Sequence, residues 1–208
     1  MLVFVDANIV LFAVPKTGST AYHMALRGKA DISLANKAGL KHMTARKYDR
    51  DFGPYLAQAH GLTPERVAVM RDPLEQLRSW YRYRQDPKRK GAGNSAAGLS
   101  FDDFVLAAIA DKPPPFARVG SQFAFVTDDA GQVRIDHLFA YEKQPVFRRF
   151  LEDRLGKSID AKEKNVSPPA PTPLSAGVEA RLRAARADDF TLHQAIMDAG
   201  GHLVTPLA

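Results

Sequence analysis

The chain of 208 residues has 45% hydrophobic and 25% charged residues, which is the composition of a folded globular protein and excludes a disordered one. It contains no cysteine, which excludes disulfide bonds and cysteine-ligated zinc or iron–sulfur centres. The 29 lysines and arginines outnumber the 23 aspartates and glutamates, for a net charge of +6; this suits a polyanionic ligand, or a basic surface that serves only solubility.

The amino-terminal residues show neither the pattern of a signal peptide nor that of a membrane span. Asp6 and Asn8 interrupt the first apolar stretch, and neither a basic segment nor a small-residue cleavage site accompanies it. No apolar run approaches the roughly 18 residues that span a bilayer. We therefore expect a cytoplasmic protein without a membrane span, and the length and absence of repeats predict a single domain over residues 1–208.

The first predicted elements are a strand, a loop and a helix. Ile9–Val14 is a continuous apolar run that ends at Pro15, a pattern typical of a strand buried on both faces of a parallel sheet. Residues 20–27 predict a short helix that stops near Gly28, and residues 31–34 predict a second short strand.

The same order of elements returns in the next segment. Residues 44–59 predict a helix that Thr44 caps and that Gly53, followed by a proline, interrupts. Residues 66–70 predict a buried strand, and residues 72–84 predict a helix. Two successive strand–loop–helix units favour an α/β sheet covered by helices.

The start of the second of these helices is well specified. Asp72 is a good N-cap, Pro73 suits the first helical position, and Glu75 stands where a capping box needs it. The remaining predicted elements are a helix over 101–110, two strands joined by an Asp-Ala-Gly turn within 123–140, and helices over 142–155 and 175–199.

A polar segment follows the first strand and consists of Pro15, Lys16, Thr17, Gly18, Ser19 and Thr20. A loop of small residues between a strand and a helix directs backbone N–H groups and the helix dipole at one place, which makes an anion site. Gly18 allows close approach of the backbone, the hydroxyls add donors and Lys16 adds a full charge. This 15–20 loop is not a Walker A motif, because its lysine precedes its only glycine. The alternative is an ordinary strand-to-helix turn with a hydroxyl N-cap.

A second cation follows the strand at 66–70. Arg71 stands at the end of that strand, and Ser79 comes eight residues later in the predicted helix. A nucleotide kinase or GTPase often needs a carboxylate here for magnesium, whereas an arginine supplies charge to an anion directly. Two cationic strand ends on one sheet edge suit a ligand with two separated phosphate-like groups.

Together, the motifs PKTGST (15–20) and RDPLEQLRSWY (71–81) resemble the sulfotransferases that use 3′-phosphoadenosine 5′-phosphosulfate (PAPS), and are closest to the carbohydrate-type branch. In that family the first motif binds the 5′-phosphosulfate, and the strand-end arginine and the helix serine bind the 3′-phosphate. The segments VRIDHLFAYE (133–142) and NVS (165–167) extend the similarity over most of the chain. The resemblance implies a P-loop-like three-layer α/β fold, with a short central parallel sheet flanked by helices.

The resemblance also implies a reaction, in which the sulfuryl group passes in line from PAPS to an acceptor hydroxyl without a metal, and 3′-phosphoadenosine 5′-phosphate (PAP) leaves. Lys16 would neutralise charge on the leaving oxygen, or only contact the phosphate in the ground state. The acceptor, a small molecule or glycan, needs a general base. His42 is the first candidate, because it precedes the Thr44 helix at the ligand edge of the sheet. A surface histidine is the alternative, and the carboxylates Asp49 and Asp51 are the next candidates.

Other residues near these motifs have two interpretations each. Trp80 or Tyr81 would pack near the nucleotide, or in the core. Lys162 and Lys164 would close over the cofactor, or form a solvated turn. We expect acceptor recognition in the basic, glycine-rich loop 85–98. The six dispersed histidines have no metal-ligand spacing, so no metal is expected.

Two other classes of function stay open at this point. A P-loop-like nucleotide kinase or NTPase would share the anion loop, although the Walker lysine is missing. A non-catalytic module would bind a nucleotide or polyanion without turnover, although Lys16, Arg71 and Ser79 are all present. No helix-turn-helix, zinc-finger or RNP motif indicates nucleic-acid binding. The sequence does not choose among carbohydrate, lipid-linked sugar, phenol and peptide acceptors, or specify an oligomeric state.

Overall fold

A mixed sheet of six strands forms the centre of the protein in the computed structural model, which describes residues 1–89, 93–161 and 170–207. The strands are β1 (Leu2–Phe4), β2 (Ile9–Leu11), β3 (Ile32–Ser33), β4 (Glu65–Met70), β5 (His137–Ala140) and β6 (His202–Val204). Their order across the sheet is β3-β1-β2-β4-β5-β6.

Helices connect these strands and cover the sheet. Within the described ranges they are α1 (Ser19–Leu26), α2 (Ala38–Lys41), α3 (Ala45–Lys47), α4 (Gly53–His60), α5 (Pro73–Gln85), α6 (Phe101–Ala108), α7 (Gln122–Val126), α8 (Gln144–Leu155), α9 (Ala176–Ala185) and α10 (Ala187–Asp198). Short turns of other helical types cover Tyr48–Phe52 (π), Pro87–Arg89 (3-10) and Tyr141–Lys143 (3-10). No helix in the described residues is long and apolar enough to cross a membrane.

The expected parallel sheet is only the middle of the observed one. β2, β4 and β5 are parallel, whereas β1, β3 and β6 pair antiparallel to their neighbours. The tight turn Val5–Asn8 joins β1 to β2, with the Asn8 N–H donating to the Val5 carbonyl at 3.0 Å. A connection this short closes a hairpin and cannot make the crossover that parallel strands need. The prediction of a parallel sheet was therefore wrong for the outer strands.

Alternate side chains of the central strands enter two separate cores. On β4, Val67 and Val69 lie in the core that contains buried residues of α1 and α8. Ala68 and Met70 lie in the opposite core, with residues of α4, α7 and α10. The protein is thus α/β, with helices on both faces of a mixed sheet. A third core joins α5, α6 and α9.

The helices next to the first two strand ends agree with the sequence. α1 and α5 occupy the expected segments, and the Asp72 carboxylate caps α5 by accepting the Glu75 N–H at 2.9 Å. The Thr44 hydroxyl caps α3 by accepting the Lys47 N–H at 3.3 Å. The interruption expected at Gly53 lies one turn earlier, where the π-helical turn Tyr48–Phe52 separates α3 from α4, and Gly53 begins α4.

The first of the two strands expected within 123–140 is the helix α7, so that prediction was wrong. The Ser121 hydroxyl caps this helix by accepting the Ala124 N–H at 3.1 Å. The buried carboxylate of Asp189, on α10, accepts the N–H groups of Gln122 and Phe123 at 2.8 and 3.0 Å. These partners satisfy the first backbone donors of a helix, and Asp189 lies too far along the chain to be seen in a local pattern.

The carboxyl-terminal helix expected over 175–199 is two helices. α9 and α10 meet at Arg186, whose φ of −123° is not helical. The helix expected over 142–155 was right in type, but the 3-10 turn Tyr141–Lys143 precedes it and α8 begins at Gln144.

Candidate anion-binding site

The parallel pairing of β2 and β4 brings the two predicted cationic strand ends to one edge of the sheet. Leu11 lies opposite Val67, and the Phe12 N–H donates to the Val67 carbonyl at 2.8 Å. The chain then leaves β2 into the 15–20 loop and leaves β4 at Arg71. This is the carboxyl edge of the parallel strands, where α/β proteins bind their ligands.

Two hydrogen bonds attach the 15–20 loop to α5 and its entrance. Arg71 Nη1 donates to the backbone carbonyl of Lys16 at 3.4 Å. Gln76 Nε2, one turn into α5, donates to the carbonyl of Pro15 at 3.0 Å. The structure therefore brings the loop and Arg71 together, as the sequence predicts, and adds Gln76 as the residue that joins them.

Left-handed backbone shapes the loop. Lys16 has φ of 69° and Gly18 has φ of 72°, a conformation that costs a non-glycine residue on the order of 1 kcal/mol. The Thr17 hydroxyl donates to the Val14 carbonyl at 2.9 Å, and Thr17 is only 2% exposed. Thr17 was expected to offer this donor to a ligand; instead it holds the turn.

Tyr141 covers the loop from the third strand end. A Cβ atom added to Gly18 would lie 3.0 Å from Cε2 of Tyr141. The same ring lies against the Arg71 guanidinium, whose central carbon is 4.5 Å from the ring centroid. Tyr141 directly follows β5, so the rule that identified Lys16 and Arg71 as strand-end residues also applies to Tyr141, which the sequence analysis missed.

The side chain of Gln122 makes two hydrogen bonds to the backbone of Arg71. The Arg71 N–H donates to Gln122 Oε1 at 2.9 Å, and Gln122 Nε2 donates to the Arg71 carbonyl at 2.7 Å. Gln122 is 1% exposed. No sequence signal pointed to this residue, because the contact joins positions 51 apart in the chain.

Glu142 fixes the entrance of α5. Glu142 Oε1 accepts the Asp72 N–H at 2.9 Å, and Oε2 lies 3.0 Å from Nε2 of His193 on α10. Burial raises the pKa of Glu142, but the hydrogen bonds from His193 and from the Asp72 N–H outweigh it, so the pKa is lowered. The carboxylate therefore stays ionised and joins α5 to α10.

The ammonium group of Lys16 rests on α5. Lys16 Nζ lies 3.6 Å from the ring centroid of Tyr83 and 4.9 Å from that of Trp80. Tyr83 follows Ser79 by one helical turn, so the two residues share a face of α5. The half-buried Ser79 and the Lys16 ammonium are thus on the same side of the helix.

The remaining loop residues lie in the first turn of α1. Ser19 begins the helix, and the Thr20 hydroxyl accepts a hydrogen bond from Lys41 Nζ at 3.2 Å. Burial lowers the pKa of Lys41 from its ordinary 10.5. Lys41, at the end of α2, adds a further cation beside the loop, and it was not singled out in the sequence.

His42 lies beside the end of β2. Its Nδ1 is 2.6 Å from the backbone carbonyl of Ala13, and a carbonyl can only accept, so Nδ1 carries the proton. Burial lowers the pKa of His42; the bond to Ala13 opposes this, and the charges of Lys41 and Lys16 lower it further. The ring is therefore neutral near pH 7, with a lone pair on Nε2, which is the state that a general base requires.

Asp49, the next candidate for the base, lies at the wrong end of the sheet. Its carboxylate pairs with Arg66 Nη1 at 2.6 Å and with Arg134 Nε at 2.9 Å. Arg66 is near the start of β4, five residues before Arg71, which corresponds to about 16 Å along a strand. Asp51 is exposed and pairs with its neighbour Arg50 at 2.6 Å. Neither carboxylate is brought to the 15–20 loop by a contact in the structure.

Trp80 and Tyr81 have different surroundings. Tyr81 is buried among Phe101 and Phe104, with ring centroids 5.3 and 5.5 Å away, so the core interpretation holds for Tyr81. Trp80 instead faces Lys16. Lys162, Lys164 and the NVS segment lie outside the described residues, as do residues 90–92 of the loop 85–98.

Among the residues that the structure describes, no group of three His, Asp or Glu side chains is placed to hold a metal ion. The site consists instead of backbone N–H groups, hydroxyls and the cations Lys16, Lys41 and Arg71. Such a set binds anions.

No family model matches the chain, and no curated protein is significantly similar to it. The sulfotransferase resemblance therefore depends on the sequence motifs alone.

Proposed function

We propose that this protein is a PAPS-dependent sulfotransferase with a P-loop-like fold, which transfers a sulfuryl group to an acceptor hydroxyl and releases PAP. The observation that supports it most is the contact between the two strand ends, where Arg71 donates to the Lys16 carbonyl. A donor that carries a phosphosulfate at one end and a phosphate at the other needs two anion sites side by side. A cytoplasmic location, expected from the sequence, belongs to the same proposal.

The residues of the site fit such a sulfuryl donor. The 15–20 loop and the start of α1 would hold the 5′-phosphosulfate, and Arg71 with Ser79 would hold the 3′-phosphate. Nε of Arg71 is buried and makes no hydrogen bond within the described part of the chain. A buried donor without a partner is unfavourable, and a bound phosphate would satisfy it.

In the reaction, the acceptor oxygen forms a bond to sulfur while the bond from sulfur to the 5′-phosphate oxygen breaks. The proton of the acceptor hydroxyl passes to Nε2 of His42, which carries the lone pair of the neutral ring. Lys16 supplies positive charge where negative charge grows on the leaving oxygen. Preorganised charge of this kind commonly contributes ~10²–10³ in rate.

The deciding experiment is a transfer assay with labelled PAPS against carbohydrate, lipid-linked sugar, phenol and peptide acceptors, with and without a magnesium chelator. The proposal expects a labelled product from one class of acceptor, at a rate that chelation leaves unchanged. A kinase or NTPase would instead consume ATP and stop on chelation. A binding module would retain PAP without any transfer.

A further inference from the structure

Three charged residues at the start of α5 form a cluster beside the 15–20 loop. Arg71 precedes the helix, and Glu75 and Arg78, three residues apart within it, lie on one face. Glu75 Oε1 accepts from Arg78 Nη1 at 2.5 Å, and Glu75 Oε2 lies 3.8 Å from Arg71 Nη2. One carboxylate therefore stands between two guanidinium groups, which we name the Arg71–Arg78 seat.

The carboxylate does not satisfy the seat. Glu75 Oε2 and Arg71 Nη2, 3.8 Å apart, form an ion pair but are too far apart for a hydrogen bond. Nε of Arg71 and Nε of Arg78 are both buried and have no hydrogen-bond partner among the described residues. Within the seat itself, two guanidinium charges face the single charge of Glu75.

A phosphate monoester complements this seat better than Glu75 does. It carries close to two negative charges and three acceptor oxygens, whereas a carboxylate carries one charge and two oxygens. The Glu75 side chain is 39% exposed, against 18% for Arg71 and 28% for Arg78. The carboxylate can therefore rotate into solvent while the two arginines stay in place.

We propose that Glu75 is an internal anion that fills the Arg71–Arg78 seat when no ligand is bound, and that Arg78 is a second phosphate-binding residue of that seat. A phosphate must displace Glu75 in order to bind. In terms of the proposed function, on which this inference rests, the displacing group is the 3′-phosphate of PAPS or PAP.

Displacement lowers the apparent affinity for the ligand. The measured dissociation constant equals the intrinsic one divided by the fraction of molecules with an open seat. A seat that Glu75 fills in about nine molecules out of ten weakens binding about tenfold. Removing the carboxylate charge should restore that factor.

The test compares PAP binding by calorimetry to the wild type, Glu75→Gln and Arg78→Gln. Glu75→Gln should bind PAP about tenfold more tightly, and Arg78→Gln should bind it more weakly. The matched control is Glu179→Gln on α9, which breaks another Glu–Arg pair at a spacing of four residues (Arg183 Nε to Glu179 Oε1, 2.9 Å). The control should leave PAP binding unchanged.

Inorganic phosphate tests the seat without a nucleotide. Its binding is measured as the rise in melting temperature with phosphate concentration. Glu75→Gln should show a larger rise than the wild type, and Glu179→Gln should show the same rise. Glu75→Ala repeats both measurements if the glutamine variant melts at a much lower temperature.

Failure of this inference and failure of the proposed sulfotransferase function give different results in these measurements. Equal affinity of the wild type for PAP and AMP would defeat the sulfotransferase proposal, while the phosphate series would still test the seat. Weaker or unchanged phosphate binding by Glu75→Gln would overturn the inference, because Glu75 would then position the arginines or take no part. Absence of phosphate binding in every variant would overturn it as well.

Discussion

The Arg71 guanidinium donates a hydrogen bond to the backbone carbonyl of Lys16 across 3.4 Å. The bond joins the end of β4 to the loop that leaves β2, and Gln122 fixes the Arg71 backbone from the other side. Contacts within the protein thus hold both cationic strand ends in position. Preorganisation of this kind reduces the free energy that binding must spend on ordering the site.

Lys16 is expected to act mainly in the transition state. Lys16→Met removes the charge and keeps most of the side chain that packs on Tyr83, so kcat should fall by ~10²–10³ while PAP affinity changes much less. Steady-state kinetics at saturating PAPS, with PAP calorimetry, separates the two effects. Normal turnover at saturation would reduce Lys16 to a residue that only binds the donor.

His42 is expected to take the proton of the acceptor. His42→Asn keeps a donor for the Ala13 carbonyl but removes the base, so the transfer rate should fall by about 10²–10⁴ with melting temperature and PAP affinity close to the wild type. Because the pKa of His42 lies below its ordinary value of 6.5, the wild-type rate should be level near neutral pH and fall on acidification. A pH–rate profile that the substitution does not alter would exclude this role.

A side chain at Gly18 is expected to lower the free energy of unfolding, for two separable reasons. Gly18→Ala meets both the left-handed backbone (φ of 72°) and the Tyr141 ring. The control Gly120→Ala has a similar φ of 74° but no atom within 4 Å of the added Cβ. Chemical denaturation should show a loss of about 1 kcal/mol at Gly120 and a larger loss at Gly18. Equal losses would mean that the Tyr141 ring moves away from the added methyl group at no cost, which would contradict the steric part of the prediction.

Acid should destabilise the fold through His23. Burial is the main cause that lowers the pKa of His23 to about 4, and the charge of Lys41 contributes to it. The unfolded chain, with a pKa near 6.5, then binds more protons than the folded one, so stability is lost as the pH falls from about 6.5 to about 4. His23→Gln should reduce the loss of unfolding free energy between pH 7 and pH 5 by on the order of 1–2 kcal/mol. The same substitution at the exposed His60 is the control, and an identical loss in both variants would contradict the assignment.

Local patterns were sufficient to predict the parts of the site that depend on neighbours in the chain. Lys16 and Arg71 could be identified because each directly follows an apolar run, and Asp72 because the residues after it are typical of a helix start. Tyr141 could have been found by the same rule. Asp6 and Asn8 were interpreted as interruptions of an apolar stretch, although they belong to the turn of the β1–β2 hairpin.

Contacts between distant segments could not be predicted from one sequence. Gln122 supports Arg71, and Glu142 supports Asp72, through hydrogen bonds across 51 and 70 residues. The Asp189 carboxylate likewise caps α7, in a segment where a strand was expected, from 67 residues away. Asp49 and Asp51 were the next candidates for the base, but pairing with Arg66, which is distant in sequence, places Asp49 at the other end of the sheet.

The affinities of the wild type for PAP and for AMP, measured by calorimetry, test the proposed sulfotransferase function without an acceptor. We expect PAP to bind at least about tenfold more tightly, and Arg71→Ala to remove about 1.5–3 kcal/mol of PAP binding while AMP binding changes little. Arg66→Ala, which breaks an ion pair at the opposite end of β4, should leave the ratio unchanged. Equal affinities for PAP and AMP in the wild type would contradict the proposed sulfotransferase function.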